Sequence, residues 1–157
     1  MSGTPTMVTR LLDFLTADAS LTALLPGGIY NQPLKREGPG STPNAFAPTP
    51  PYQPRPAAVI TDGTDQADVF GPDGSFQSFP WIYLYATPTA NGKATIANAW
   101  DLLFSKLHGW RFATGNGTGA YVQVIGRLGV LDDPEDAQRV LGGMRLQVTG
   151  LWRNTGA

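Results

Sequence analysis

The side chains in this chain that could do chemistry are few and scattered. His108 is the one imidazole. It stands at the end of an apolar stripe, where a cation complements a helix dipole, and no serine or aspartate is spaced around it as a nucleophilic triad requires. Asp62, Asp65 and Asp68 could gather around a hard cation. A calcium loop, however, alternates Asp-x-Asp-x-Asp-Gly and closes with Glu, so these three read as turn residues. Asp132, Asp133, Glu135 and Asp136 read as the acidic start of a short helix, and nothing else asks for a glycosidase-like carboxylate pair. The glycines of segment 115–120 follow a helix and precede a strand, the reverse of a phosphate-binding loop, and Gly-Lys-Ser/Thr is missing. The chain has no cysteine, so disulfides, thiolate catalysis and thiolate metal sites are excluded. The expectation is a protein that is not an enzyme, with no catalytic, metal or cofactor-binding residues.

Two arginines are more informative. Arg127 and Arg145 fall on the polar faces of two successive strand patterns, which predicts one shared, solvent-facing side of a sheet. Such a face is either merely solvated or presented to a partner or a DNA-filled lumen. The net charge is −1, so no overall basic field draws the protein to nucleic acid, and a few cations would suit weak, sequence-independent passage of DNA.

The elements that must position these residues follow from periodicity. In 157 residues, 41% hydrophobic and 15% charged, there is room for one domain with a real core, here residues 1–157 with an ordered core over 8–153. The low charge leaves much uncharged surface, as a subunit of an assembly has. Val8, Leu11, Leu12 and Leu15 repeat as one helical face. A further turn through Leu21, Leu24 and Leu25 is capped by Asp18 or Ser20, and Pro26-Gly27-Gly28 stops it. Residues 32–56 hold eight of the 14 prolines, which remove amide donors and favour extended backbone. This segment is either a loose surface insertion or an arm that orders against a neighbouring subunit, with Phe46 and Tyr52 as anchors.

A strand is predicted over 57–62, a polar hairpin excursion over 63–78, and the clearest strand over 79–86. There Trp81, Tyr83 and Tyr85 share one face and Ile82, Leu84 and Ala86 the other. Both faces are apolar, so helices should cover one and a partner the other. A helix follows over 92–108, its stripe of Ile96, Trp100, Leu103 and Leu107 widened by Ala97, Ala99 and Phe104. Strands over 121–131 and 144–152 flank a short helix opened by Asp133-Pro134 and ended by Gly142-Gly143. The expected fold is α+β in the order α-β-β-α-β-β: an antiparallel or mixed four- to five-stranded sheet with two main helices on one face.

Four pieces in this order carry a resemblance: 11–31 (LLDFLTADASLTALLPGGIYN), 55–60 (RPAAVI), 81–86 with 96–100 (WIYLYA, IANAW), and 127–133 with 145–149 (RLGVLDD, RLQVT). Over residues 8–153 the chain resembles the tail terminator, or tail completion, proteins of long-tailed bacteriophages. The long proline-rich segment is not required by that pattern.

The resemblance implies a virion structural protein of the tail and neck, assembled in the host cytoplasm. Six copies would form a ring that caps the tail tube, meets the head-side connector and lets DNA pass, with no membrane involved. A closing ring needs two unlike contact faces per subunit. Trp81, Tyr83, Tyr85, Phe46 and Tyr52 are the candidates for contacts, and Arg127 and Arg145 for lumen or partner charge. The alternatives are another neck component, such as a head-completion or stopper protein, and a small α+β ligand-binding domain or enzyme.

Overall fold

Leucines at helical spacing open the chain as expected. Helix α1 (Met7–Thr16) buries Val8, Leu11 and Leu15, and α2 (Ala19–Leu24) buries Leu21. Asp18 rather than Ser20 is the N-cap of α2, its carboxylate accepting from the Leu21 amide at 2.9 Å. The computed structural model describes residues 7–62, 69–72, 75–113, 119–134, 136 and 138–151. After α2 come β1 (Ile29–Tyr30), a 3₁₀ turn (Pro43–Ala45), β2 (Ala57–Thr61), β3 (Val69–Phe70), β4 (Ser75–Ser78) and β5 (Trp81–Ala86). Helix α3 (Ala90–Leu107) then leads to β6 (Arg111–Ala113), β7 (Gly119–Asp132) and β8 (Val140–Leu151).

The expected four- to five-stranded sheet with two helices, in the order α-β-β-α-β-β, is not what forms. The chain folds as a mixed, curled eight-stranded sheet, a half-barrel, with three helices. Strand β8 is its spine. On one side β8 pairs with β7, which in turn pairs with β6. On the other side it pairs with both β4 and β5, in a single register from Ser75↔Leu151 to Ala86↔Val140. The break between β4 and β5 falls at Phe79-Pro80, where proline has no amide to give. The Pro80 carbonyl still accepts from the Leu146 amide at 2.9 Å. Beyond β4 and β5 lie β3 and β2, both antiparallel to them, and β1 closes that edge in parallel with β2. A strand of three residues such as β6 carries too little periodicity to be read from sequence.

The short helix predicted after Asp133 is also absent. Among the described residues there, the Asp133 amide donates to the Arg139 carbonyl at 3.1 Å instead, and β8 begins at Val140. Gly142 and Gly143, read as a helix stop, sit mid-strand beneath α3. A Cβ on Gly142 would lie 2.8 Å from Ile96 Cγ2, so the glycine admits the helix against the sheet. The Gly143 carbonyl accepts from Trp100 Nε1 at 3.1 Å.

The core lies between the helices and one sheet face. Ile60, Ile82, Leu84, Val122, Met144, Leu146 and Val148 meet Leu11, Leu15, Leu21, Ile96, Ala99, Leu103 and Leu107, all essentially inaccessible. Each such Val, Leu, Ile or Met side chain contributes about 1.5–3 kcal/mol by leaving water. A cap by Thr89, whose hydroxyl accepts from the Gly92 amide at 3.0 Å, starts α3 two residues earlier than its apolar stripe suggests. Trp152, predicted to join the core face, lies outside the described residues, as do Asp65, Asp68, Glu135 and residues 115–118 of the glycine-rich loop.

Candidate assembly surfaces

Alternation along β5 puts Ile82, Leu84 and Ala86 under the helices and leaves Trp81, Tyr83 and Tyr85 half-buried on the uncovered face. The Trp81 and Tyr83 rings stack, 5.6 Å apart and nearly parallel. Arg145, opposite Trp81 on β8, reaches over this row, with its guanidinium carbon 5.7 Å from the Phe79 ring and 5.8 Å from that of Trp81. Arg139 lies 4.5 Å over Tyr85 and is ion-paired with Asp133. Arg111 sits 5.4 Å over Tyr121. The face is therefore laced with arginine–aromatic contacts.

Arg127 does not join Arg145 there. Val122 and Val124 pair with Val148 and Leu146, but Gly126 pairs with Arg145, so Ile125 is an extra residue in β7. One inserted residue reverses the alternation. Arg127 consequently pairs with Met144 on the helix side and lies 4.4 Å over the Trp100 ring. The shared arginine face expected from period-2 reading is thus split between opposite sides of the sheet.

On α3 that arginine heads a stack of rings. Trp100 and Phe104 are 5.4 Å apart, and Phe104 and His108 4.8 Å apart, all close to parallel. His108 Nδ1 accepts from the Val124 amide at 3.1 Å, tying the end of the helix to β7. Phe104, read as buried stripe, is instead an exposed ridge.

Among the described residues, the large hydrophobic side chains left exposed fall in two places. Val69 (51%) and Phe70 (74%) sit on β3. Phe104, Ile125, Val130 and Leu131 sit on α3 and the adjacent length of β7. Because the sheet runs β3-β4-β8-β7, the two patches occupy opposite edges. Sequence reading missed both, although the apolar pair Val69-Phe70 in a polar stretch and the consecutive Val130-Leu131 were visible signals.

The proline-rich segment is folded on its own chain. The Thr42 amide donates to the Lys35 carbonyl at 2.6 Å, and Thr42 Oγ1 accepts from the Lys35 amide at 2.9 Å. Ala47 and Arg55 amides donate to Gln53 and Ala45 carbonyls, both at 2.8 Å. Thr42, Ala45 and Pro54 are buried. Phe46 bridges Pro54, and Tyr52 stacks under Arg36 at 4.3 Å. Both predicted anchors therefore make contacts within the subunit.

The main clefts are open at the surface. One of about 540 Å³ at the β2 edge is lined by Val8, Gln32, Pro33, Asp62, Tyr83 and Tyr85. Among the described residues no three His, Asp or Glu side chains approach closely enough to hold a metal ion. No helix there is long and apolar enough to cross a membrane. The strongest electrostatic effect is at Asp18: the Lys106 ammonium, followed by the Leu21 amide, holds its carboxyl down at about 2. That is a structural tie between α2 and α3 rather than an acid–base group. Comparison with family models, with curated proteins and with solved structures finds no match in any of the three. The molecule is thus defined by its architecture, a helix-backed half-barrel with two apolar edges.

Proposed function

We propose that this protein is a structural subunit that closes into a ring, a tail terminator that caps the tail tube at the head–tail junction of a long-tailed bacteriophage and lets DNA through. The observation that supports this best is the pairing of two unlike apolar patches on opposite sheet edges, β3 and β7 with α3. Exposed apolar clusters mark sites of association, and a closed ring needs two different complementary faces on each subunit. The row of Trp81, Tyr83 and Tyr85 with Arg145 then remains as a separate surface for the tube, the connector or the passing DNA.

Native mass spectrometry should find a hexamer, either of the protein alone or on tail tubes. Electron microscopy of particles lacking it should show overlong tails. Normal tails on leaking heads would reassign it to head completion, and a strict monomer under both conditions would sink the ring.

A further inference from the structure

We infer that the two open edges are halves of one contact: β3 of one copy continues the sheet of the next copy beyond β7, placing Phe70 against the patch of Ile125, Val130, Leu131 and Phe104. This rests on the ring reading above, and it names which surface meets which.

Three observations converge on it. The first is the open backbone. Among the described residues the outer side of β7 is bonded from Gly119 to Val124, by β6, by Gly109 and Trp110 at Val122 and by His108 at Val124, and it has no strand partner from Ile125 on, while β3 is paired only with β4. An unpaired strand edge is a template for another strand. The second is apolar side chains beside both open edges, with Phe70 the most exposed of them.

The third is charge. On the β3 side the sequence from 56 to 92 contains four aspartates and no lysine or arginine, and of the four only Asp62 lies among the described residues. The β7 side carries Arg111 and Arg127, with Lys106 already held by Asp18 and Asp132 exposed at the end of the strand. Asp62 at the end of β2 is exposed, as are Arg111 and Arg127. A two-fold contact of β7 with β7 would bring the arginines of both copies to one seam. The unlike pairing sets Asp62 of one copy on the side of Arg111 and Arg127 of the next.

The strand directions agree. Within one chain β3 and β7 run antiparallel, since β3, β4, β8 and β7 alternate. Rotation about an axis along the strands leaves directions unchanged, so the contact between neighbours is antiparallel, the more common pairing. The same closure would turn the uncovered face with Trp81 and Arg145 to one side of the ring wall and the helices to the other.

The absence of native cysteine permits a direct test. Phe70→Cys is prepared in one protein, and Ile125→Cys, Val130→Cys or Leu131→Cys in another; all four sites are exposed, and circular dichroism checks their fold. A disulfide forms only where Cα atoms approach within about 4.4–6.8 Å. Under mild oxidation, at least one mixture should give cross-linked dimer in clear excess over either variant alone. The corresponding double variant should give a ladder that ends at the ring. A ring in which none of the three pairs cross-links overturns the edge pairing while leaving the ring reading standing. Cross-linked chains that never close keep the pairing and sink the ring. Self-cross-linking of a single variant beyond its mixture replaces the inference with a two-fold contact, and neither assembly nor cross-link removes both.

Discussion

Gly92→Ala sets two ordinary rules against each other, and the structure decides which wins. Gly92 lies in the first turn of α3, where alanine is normally favoured over glycine by about 1 kcal/mol. Here the residue is buried, and an added Cβ would stand 2.1 Å from the Thr87 carbonyl oxygen and 2.9 Å from Thr87 Oγ1. The first clash is with backbone, so no side-chain rotation relieves it, and such overpacking costs about 1–3 kcal/mol. Relief would also move Thr89, whose hydroxyl caps the Gly92 amide at 3.0 Å, and losing a cap costs about 1 kcal/mol more. The net expectation is destabilisation by about 1–3 kcal/mol. For a domain of this size that is a fall in Tm of roughly 2–12 °C. Urea unfolding should show a lower midpoint at unchanged slope. Lys93→Ala, at the exposed neighbouring position, should stay within about 0.5 kcal/mol of the parent. An unchanged or raised Tm for Gly92→Ala would refute the close approach of α3 to the 87–89 loop, and with it the placement of the Trp100–Phe104 ridge.

Asp18 is held down at about 2 from 3.8, by Lys106 first and the Leu21 amide second. A lowered carboxyl stabilises the fold above its unfolded value and loses that effect as pH falls. Thermal stability should therefore drop between about pH 4 and pH 2, and less so in Asp18→Asn; an identical acid profile in the two proteins would refute the tie. Asp133→Ala leaves the buried Arg139 guanidinium without its carboxylate and should cost about 3–5 kcal/mol by chemical denaturation. A change below 1 kcal/mol would mean that stacking on Tyr85 suffices. Deleting 35–54 removes buried Thr42, Ala45 and Pro54, so it should lower the Tm of the subunit itself; an unchanged Tm would restore the view of the segment as a dispensable arm.

Much of the core was legible because it follows simple periods. The 3.6-residue spacing of Leu11 and Leu15, and of Ile96, Leu103 and Leu107, survives in α1 and α3. The two-residue alternation of Ile82 and Leu84 survives in β5. Illegible were the features that depend on the third dimension. Asp133-Pro134 is a fair helix start, but a long-range partner converts it: Arg139 takes the Asp133 carboxylate and β8 takes the following residues. Gly142-Gly143 is a fair helix stop until Ile96 presses against it from another element. The candidate surfaces suffered most. Proline content left a loose insertion or an arm ordered against a neighbour, yet main-chain hydrogen bonds between 35 and 42 and between 45 and 55 fold the segment on its own chain.

The bulge at Ile125 carries the largest consequence for assembly. Without it, Arg127 would fall on the face of Arg145, and β7 would pair regularly as far as its second shift, between Leu128 and Leu131. With it, Arg127 crosses to Trp100 and Ile125 is left exposed beside Phe104. Bulges and charges are common devices that keep solitary sheet edges from sticking to one another, so a bulged edge alone would argue for a protected monomer. Such protection usually comes with charged or short strands. This edge instead presents Ile125, Val130 and Leu131 on a strand of 14 residues, whose charges are one arginine that is already stacked and Asp132 at the very end. A bulge then acts as a filter rather than a barrier: it bars regular self-pairing of β7 with β7 and leaves an irregular apolar surface for a strand of matching shape and opposite charge. Removing Ile125 to straighten the strand should therefore increase nonspecific aggregation, measured by light scattering, while weakening the discrete ring; stronger, uniform rings would show that the bulge has no part in choosing the partner.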